Sequence, residues 1–179
     1  AGQMQNINML ESSSEIIKNL LKSQQYLIDE IYLFQDQFKE PLVNAATDIT
    51  GYGFIGHLKE MIESSNLYRK RNNLKPLKVL LDLFAFKAYP GVIDLIRKDV
   101  KSTFFESNKE IFDKIYKGNQ QKRIINFLKE NSLDKQTFDE RISLLLDPQT
   151  CGPLLISCNR KYENTLKDKW YKVGEVLKI

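Results

Sequence analysis

Apolar residues recur at helical spacing through the first part of the chain. From Ile16 to Phe38 they repeat at intervals of three, four and seven residues, which is the period of one helical face. The pattern predicts one long helix, or two helices that break near Gln24–Gln25. Pro41 ends it, because proline cannot continue a helix. A second apolar stripe, from Phe54 to Ile62, predicts an amphipathic helix.

The rest of the pattern alternates unevenly between strands and helices. Continuous apolar runs predict strands at 43–49, 77–86, 142–146, 154–157 and 173–179. Apolar spacing predicts further helices around 92–96, 111–116, 124–128 and 162–170, with a break at Gly118-Asn119, a loop at 66–76 and an irregular stretch at 99–108. This order predicts an α+β fold, or an α/β sandwich, in which helices cover one mixed sheet.

Composition narrows the classes of function. The 179 residues carry a formal charge of +4 and are 42% hydrophobic, which is typical of a globular chain with a core. No apolar run reaches the roughly 18 residues of a membrane helix. Acidic residues are mixed with the basic ones, so we expect neither a membrane nor a nucleic-acid partner. Cys151, Cys158 and the single His57 are too few for a zinc site, which favours reduced thiols in a cytoplasmic protein over a disulfide.

The stretch TDITGYG, residues 47–53, is the first candidate for chemistry. Asp48 precedes Thr50 and two closely spaced glycines, Gly51 and Gly53, at the start of the predicted helix. A helix start suits an anion, and Asp48 could hold a divalent cation that bridges phosphates. The alternative is structural: Thr50 caps the helix, the glycines form the turn, and Asp48 points to water. Spacing alone favours this structural interpretation, and the pattern is not a phosphate-binding P-loop.

Four segments in order resemble the selenophosphate synthetase (selenide, water dikinase) family. They are AATDITGYGFIGHLKEM at 45–61, AYPGVIDLIRKDVKSTFFESN at 88–108, LLLDPQTCGPLLIS at 144–157 and GEV at 174–176. The first is similar to the family's TDVTGFG-type segment and the third to its DPQTSGGLL-type segment. The DPQT segment separates this family from relatives that share only the first turn.

The resemblance implies a place in a larger enzyme. It covers the family's C-terminal domain, which is similar to the C-terminal domain of aminoimidazole-ribotide synthetase. We therefore expect a helical segment at 1–40, partly flexible, followed at 41–179 by this domain. The N-terminal domain lies outside the sequence and would supply the reactive Cys or selenocysteine, so we expect no catalytic residue in this chain. We also expect the chain alone to be inactive and the full-length protein to be a homodimer.

The implied reaction converts ATP, selenide and water into selenophosphate, AMP and phosphate. In the family, one aspartate of the C-terminal domain joins aspartates of the N-terminal domain in holding Mg²⁺, and the match assigns that role to Asp48. Thr47, Thr50 and Gly51 would position it or face a phosphate. His57 matches the family histidine, and a hydrogen-bonded core histidine is favoured over a catalytic one.

Two departures from the family pattern stand in the DPQT segment, where Cys151 replaces a serine and Pro153 a glycine. Proline fixes φ and removes a backbone donor, so this loop must be built differently if that glycine had a positive φ. Asp147 is expected to stabilise the turn.

Two alternatives to a selenophosphate synthetase domain remain. One is another ATP-using member of the superfamily, such as a cyclo-ligase or small-molecule kinase, and the other is a non-catalytic regulatory homologue.

Overall fold

The computed structural model describes residues 10–117 and 123–179. Seven helices lie within these ranges: α1 Leu10–Leu20, α2 Gln25–Phe38, α3 Gly53–Arg71, α4 Val92–Arg97, α5 Phe105–Tyr116, α6 Lys135–Leu146 and α7 Glu163–Leu166. Five strands accompany them: β1 Val43–Asp48, β2 Leu77–Leu81, β3 Ile125–Phe127, β4 Leu154–Cys158 and β5 Gly174–Lys178. Short 3₁₀ helices span Glu130–Ser132 and Arg160–Tyr162. The fold is α+β, as predicted.

The strands form two sheets instead of the single mixed sheet that the pattern predicted. β1 and β4 make an antiparallel pair, with a register shift near Val43. β2 lies at the centre of a three-stranded sheet, parallel to β3 and antiparallel to β5, so this sheet is mixed. Helix α3 follows β1 and packs against β2, α5 and α6.

Two apolar clusters stabilise these layers. The larger one joins α3, α5 and α6 to the three-stranded sheet and includes the fully buried Ile55, Leu81 and Leu146. The smaller one joins α2 to β4 and α7, with these buried members: Ile31, Phe34, Leu42, Tyr162 and Leu166. Successive β4 residues contact different clusters, because side chains alternate across a strand. The β1–β4 pair therefore lies between the two clusters.

Several boundaries differ from the predictions. The helix break near Gln24–Gln25 is confirmed. Residues 142–146 are the end of α6 and not a strand, and 125–127 are a strand and not a helix. The predicted loop at 66–76 is helical as far as Arg71, and the strand that starts at Leu77 ends at Leu81. The break at Gly118-Asn119 lies outside the described residues.

Helices α1 and α2 contact the rest of the fold through both apolar and polar side chains. Phe34 packs edge-on against the Tyr162 ring, with centroids 4.9 Å apart. Lys169 Nζ donates to Glu30 at 2.5 Å, and Asn19 at the end of α1 donates to the Tyr89 hydroxyl at 2.9 Å. A boundary at residue 41 that separates the helical segment from the domain stays a prediction. No helix in the described ranges is long and apolar enough to cross a membrane.

Candidate functional site

The two motifs that carry the resemblance contact each other directly. The Gln149 backbone N–H donates to the Thr50 carbonyl at 3.0 Å, and the Ile49 N–H donates to the Pro153 carbonyl at 3.1 Å. Because Ile49 follows the last residue of β1, the second bond extends the β1–β4 ladder into the DPQTCGP loop. The two segments, 100 residues apart in sequence, thus form one surface at the end of the β1–β4 pair.

Two glycines permit this close packing. Gly53 has a φ of +63°, and a Cβ there would lie 2.8 Å from the carbonyl oxygens of Leu145 and Leu146. At Gly152 a Cβ would lie 1.9 Å from the Ile49 carbonyl oxygen. Any other residue at either position would push the two segments apart. By contrast, Gly51 is exposed, has no positive φ and has open space around it, so the predicted need for glycine applies to Gly53 alone in TDITGYG.

A buried asparagine of α5 bridges the same segments. The Asn108 side chain is 3% exposed, and its amide nitrogen donates to the Gly51 carbonyl at 3.0 Å and to the Leu146 carbonyl at 2.9 Å. One amide therefore satisfies a carbonyl from each motif-bearing segment. Sequence reasoning treated residues 99–108 as irregular and missed this role. Its only signal was the position of Asn108 as the last residue of the family-like segment at 88–108.

Asp48 ends β1 and exposes its side chain. Its backbone pairs in register with Leu154, and its carbonyl accepts a hydrogen bond from the Thr47 hydroxyl at 3.2 Å. Among the residues that the structure describes, the Asp48 carboxylate has no hydrogen-bond or ion-pair partner, and no three potential ligands form a metal-binding group. Mg²⁺ requires about six oxygen ligands. Asp48 fits one of these, and the described residues do not complete the set.

The structural interpretation of the sequence had Thr50 as the cap of the following helix, and the structure contradicts this. The residue that flanks α3 is Tyr52, which makes no side-chain capping bond. The Thr50 hydroxyl lies instead 3.0 Å from His57 Nε2. His57 Nδ1 is 3.6 Å from a Glu60 carboxylate oxygen, and the histidine side chain is 11% exposed. The expected hydrogen-bonded, largely buried histidine is therefore present, with Thr50 as its partner.

The start of α3 is closed to a ligand that approaches along the helix axis. The first turn, Gly53–Gly56, is buried, and Gly53 packs against the carbonyl oxygens at the end of α6. The positive end of one helix dipole thus meets the negative end of another, which is favourable. The start of α3, which the sequence indicated as a possible anion site, is therefore covered by α6. Exposed groups remain on the loop before it, at Gly51 and Tyr52.

Asp147 begins the DPQTCGP loop at the end of α6. Burial raises the pKa of its carboxyl above the ordinary value. The neighbouring Cys151 is exposed, whereas Cys158 on β4 is partly buried and burial raises the pKa of its thiol. Both cysteines are free in the structure, which agrees with reduced thiols and not with a disulfide between them.

A second residue that sequence reasoning missed lies between α1 and α2. The Gln24 side-chain amide donates to the Gly152 carbonyl at 2.7 Å, and its oxygen accepts from the Leu154 N–H at 2.9 Å. The side chain thus pairs with the free edge of the DPQTCGP loop as a neighbouring strand would. Gln24 is 128 positions from Gly152 and 130 positions from Leu154, so no local pattern could have indicated these contacts.

Comparison with known proteins supports the same family. The chain is 31% identical to the selenide, water dikinase of Caldanaerobacter subterraneus over 79% of this chain and 33% of that protein. It is 25% identical to selenide, water dikinase 2 of Peptoclostridium acidaminophilum over 75% of this chain and 31% of that protein. For the enzyme of Treponema denticola the identity is 28% over 66% of this chain and 26% of that protein.

The chain spans about a third of the length of these relatives. No family model matches it. The matches nevertheless agree on one kind of protein, and they confirm the resemblance that the TDITGYG and DPQTCGP segments indicated. Over most of its length, this chain is similar to part of a selenide, water dikinase.

Proposed function

We propose that this chain is the C-terminal domain of an ATP-dependent selenophosphate synthetase. The reaction forms selenophosphate, AMP and phosphate from ATP, selenide and water. The observation that carries the proposal is the contact between the TDITGYG and DPQTCGP segments, which places the exposed Asp48 at the edge of one surface. The similarity to selenide, water dikinases supports it.

Charge is the chemical problem that such a site must solve. The phosphates are anionic and so is the attacking selenide, and cations with positioned donors are needed to bring them together. Mg²⁺ supplies this neutralisation when it is bound. Asp48 would provide one of its ligands from this chain, and carboxylates of an N-terminal domain would provide others. Thr47, beside Asp48 in β1, and Thr50 and Gly51, in the loop that follows, would hold Asp48 in position or face a phosphate.

The role proposed for Asp48 requires that β1 and the loop after it are rigid. The Asp48 carboxylate can bind a shared metal only if β1 holds it at a fixed place relative to the partner domain. The Ile49–Pro153 and Gln149–Thr50 hydrogen bonds fix the loop that follows Asp48. The Thr50–His57 bond ties the same loop to α3. These contacts support a positioning role for Thr50 and His57 and give neither a place in the chemistry.

A chimeric enzyme tests the proposal. The chain would replace the region that it matches in the Caldanaerobacter relative, so that this relative supplies the remaining two-thirds of the enzyme. We expect selenide-dependent formation of selenophosphate and AMP by the chimera, measured by ³¹P NMR, and no product from the 179-residue chain alone. ATP consumption that does not require selenide would instead indicate another ATP-using enzyme. A folded chimera without turnover would indicate a non-catalytic homologue.

A further inference from the structure

The end of the molecule opposite the candidate site has a distinct surface. Helix α3 begins at that site with Gly53 and ends at Arg71 after 19 residues, so its two ends lie about 27 Å apart. At the far end, the Ile179 N–H donates to the Pro76 carbonyl at 3.0 Å, which brings the end of β5 beside the loop after α3. We call residues 67–76 and 176–179 the basic end.

The basic end carries positive charge without acidic neighbours in sequence. Between Glu63 and Asp82 the chain has no Asp or Glu, and four cations lie in the basic end: Arg69, Lys70, Arg71 and Lys75. Lys178 lies opposite Leu77 in the sheet and adds a fifth. Among the described residues, no carboxylate lies within ion-pair distance of Lys70, Arg71, Lys75 or Lys178. This local excess exceeds the formal charge of +4 of the whole chain.

Large apolar side chains are also exposed in the basic end, and those of β5 lie on both faces of the sheet because side chains alternate along a strand. Six of them are between 42% and 65% exposed: Leu67, Tyr68, Leu74, Val176, Leu177 and Ile179. Single exposed apolar residues need no explanation, but a group of six around one strand end is typical of an interaction site. The surface therefore combines positive charge with apolar area.

Strand β5 also offers an open backbone edge. It pairs with β2 on one side and lies at the edge of the three-stranded sheet. The Ile179 N–H and the Val173 carbonyl both point toward the β2 side, where they bond Pro76 and Asp82. Since backbone direction alternates along a strand, Gly174, Val176 and Lys178 direct their N–H and C=O groups outward. Within the described residues, no other strand pairs with these groups.

We propose that the basic end docks an acidic polypeptide segment, which adds to β5 as a further strand. A partner that pairs with the outward backbone groups as a strand needs its own alternating N–H and C=O groups, and a nucleic acid or a lipid has none. The cations around the strand select carboxylates, and the exposed Val176 favours apolar side chains between them. A second copy of the chain fits less well. Along its β5 it offers only Glu175, whose carboxylate already accepts from Lys172 at 2.8 Å.

A short synthetic peptide provides the probe. It would have about seven residues, alternating Glu and Val, which is enough to span β5, and would carry a fluorescent label. We expect saturable binding to the chain, measured by anisotropy, that weakens as salt rises. NMR shift changes on binding should centre on residues 174–179. A peptide in which Lys replaces each Glu should not bind.

Two comparisons separate charge from strand pairing. The variant Lys70→Glu/Arg71→Glu/Lys75→Glu should bind the peptide roughly tenfold less tightly or worse. The control variant Lys114→Glu/Lys135→Glu/Lys167→Glu changes three exposed cations elsewhere and should bind like the wild type. An acidic peptide that is N-methylated at alternate residues keeps its charge but loses backbone donors, and it should bind roughly tenfold less tightly as well.

Any of four results would overturn the proposal. The first is no saturable binding of the acidic peptide to the wild-type chain. The second is an equal loss of affinity in the control variant, which would mean unspecific attraction to a basic protein. The third is unchanged binding of the N-methylated peptide, which would exclude strand addition. The fourth is tighter binding of oligothymidylate than of the peptide, since this would make the surface a nucleic-acid site.

Discussion

The Asn108 side chain donates hydrogen bonds to the carbonyls of Gly51 and Leu146, two residues that are 95 positions apart in the sequence. Replacement by alanine leaves both carbonyls without this donor inside the protein, and each such loss costs about 1–3 kcal/mol. We expect Asn108→Ala to lower the free energy of unfolding by at least about 2 kcal/mol, measured by urea denaturation. Asn131→Ala, at an exposed position, is the control. A loss no larger than that of the control would contradict the bridging role.

Asp48 allows a prediction about metal dependence. In the chimera, Asp48→Asn keeps the size of the side chain but removes the charge that holds a hard cation. We expect turnover at a fixed Mg²⁺ concentration to fall by roughly a hundredfold or more, with partial recovery as Mg²⁺ is raised. The exposed Asp168→Asn serves as the control, because it lies outside both motifs. Near-normal turnover of Asp48→Asn would remove Asp48 from the metal site.

Asp147 allows a prediction about pH. Burial raises the pKa of its carboxyl in the folded state, so the folded protein binds a proton more tightly there than the unfolded chain does. Its contribution to stability is present below the unfolded pKa and is lost as pH rises through the folded pKa. Asp147→Asn should therefore stabilise the protein at pH about 7, and this gain should shrink as the pH falls toward about 4.

Urea denaturation of the wild type and the Asp147→Asn variant across this pH range measures the effect. The exposed Asp168→Asn controls for the general loss of one negative charge. A stability gain that stays constant from neutral to acidic pH would show that the Asp147 proton is not its source.

At the scale of elements, the sequence predicted long amphipathic helices well and short apolar runs poorly. Phe54 to Ile62 has a clear helical period, and α3 lies there. The run at 142–146 is too short to separate a strand from the last turns of a helix. The helix that contains it, α6, is capped by Asp134, whose carboxylate accepts from the Thr137 N–H at 2.9 Å, and the sequence analysis missed this capping signal.

The end of β2 was missed for a similar reason. Asp82 turns the chain, since its carboxylate accepts from the Phe84 N–H at 2.9 Å and its carbonyl from the Ala85 N–H at 3.2 Å. Aspartate is typical of such turns, but the apolar residues on both sides concealed it. The strand at 125–127 could not be identified from its own residues. Three residues carry too little pattern, and its partner β2 lies more than 40 positions away.

Helix α2 provides a test of whether the helical segment belongs to the domain. Phe34 is 8% exposed and packs on the cluster around Tyr162, whereas the adjacent Leu33 is 70% exposed. Phe34→Ala should lower the free energy of unfolding by about 3–4 kcal/mol, and Leu33→Ala should change it by less than about 0.5 kcal/mol. Chemical denaturation measures both. Equal effects of the two substitutions would mean that α2 does not dock as described.

At the scale of the whole molecule, the sequence identified the two motifs but not what joins them. Asp48 and the DPQTCGP segment follow from the resemblance, and their direct contact is a property of the fold. Asn108 and Gln24 contribute through single side chains at long sequence separations, for which one sequence offers no periodic signal. The candidate site was therefore predictable in its motifs and unpredictable in the side chains that support it.

The two apolar clusters raise the question of whether the molecule unfolds as one unit. They meet at the β1–β4 pair, where Leu155 contacts the larger cluster and its neighbours Leu154 and Ile156 contact the smaller one. Loss of either cluster would expose one face of a sheet of only two strands, and such a pair is not stable alone. We therefore expect one cooperative transition.

Trp170 makes this prediction measurable. It is the only tryptophan in the chain and packs against the smaller cluster, so its fluorescence reports on that cluster. The larger cluster contains α3, α5 and α6, which dominate the far-ultraviolet circular dichroism. In urea, both signals should change at the same midpoint, and Phe34→Ala should move both midpoints together, although the substitution lies in the smaller cluster. A fluorescence midpoint that shifts alone would mean that the β1–β4 pair does not couple the two clusters. The helical segment would then be a unit that unfolds before the rest of the domain.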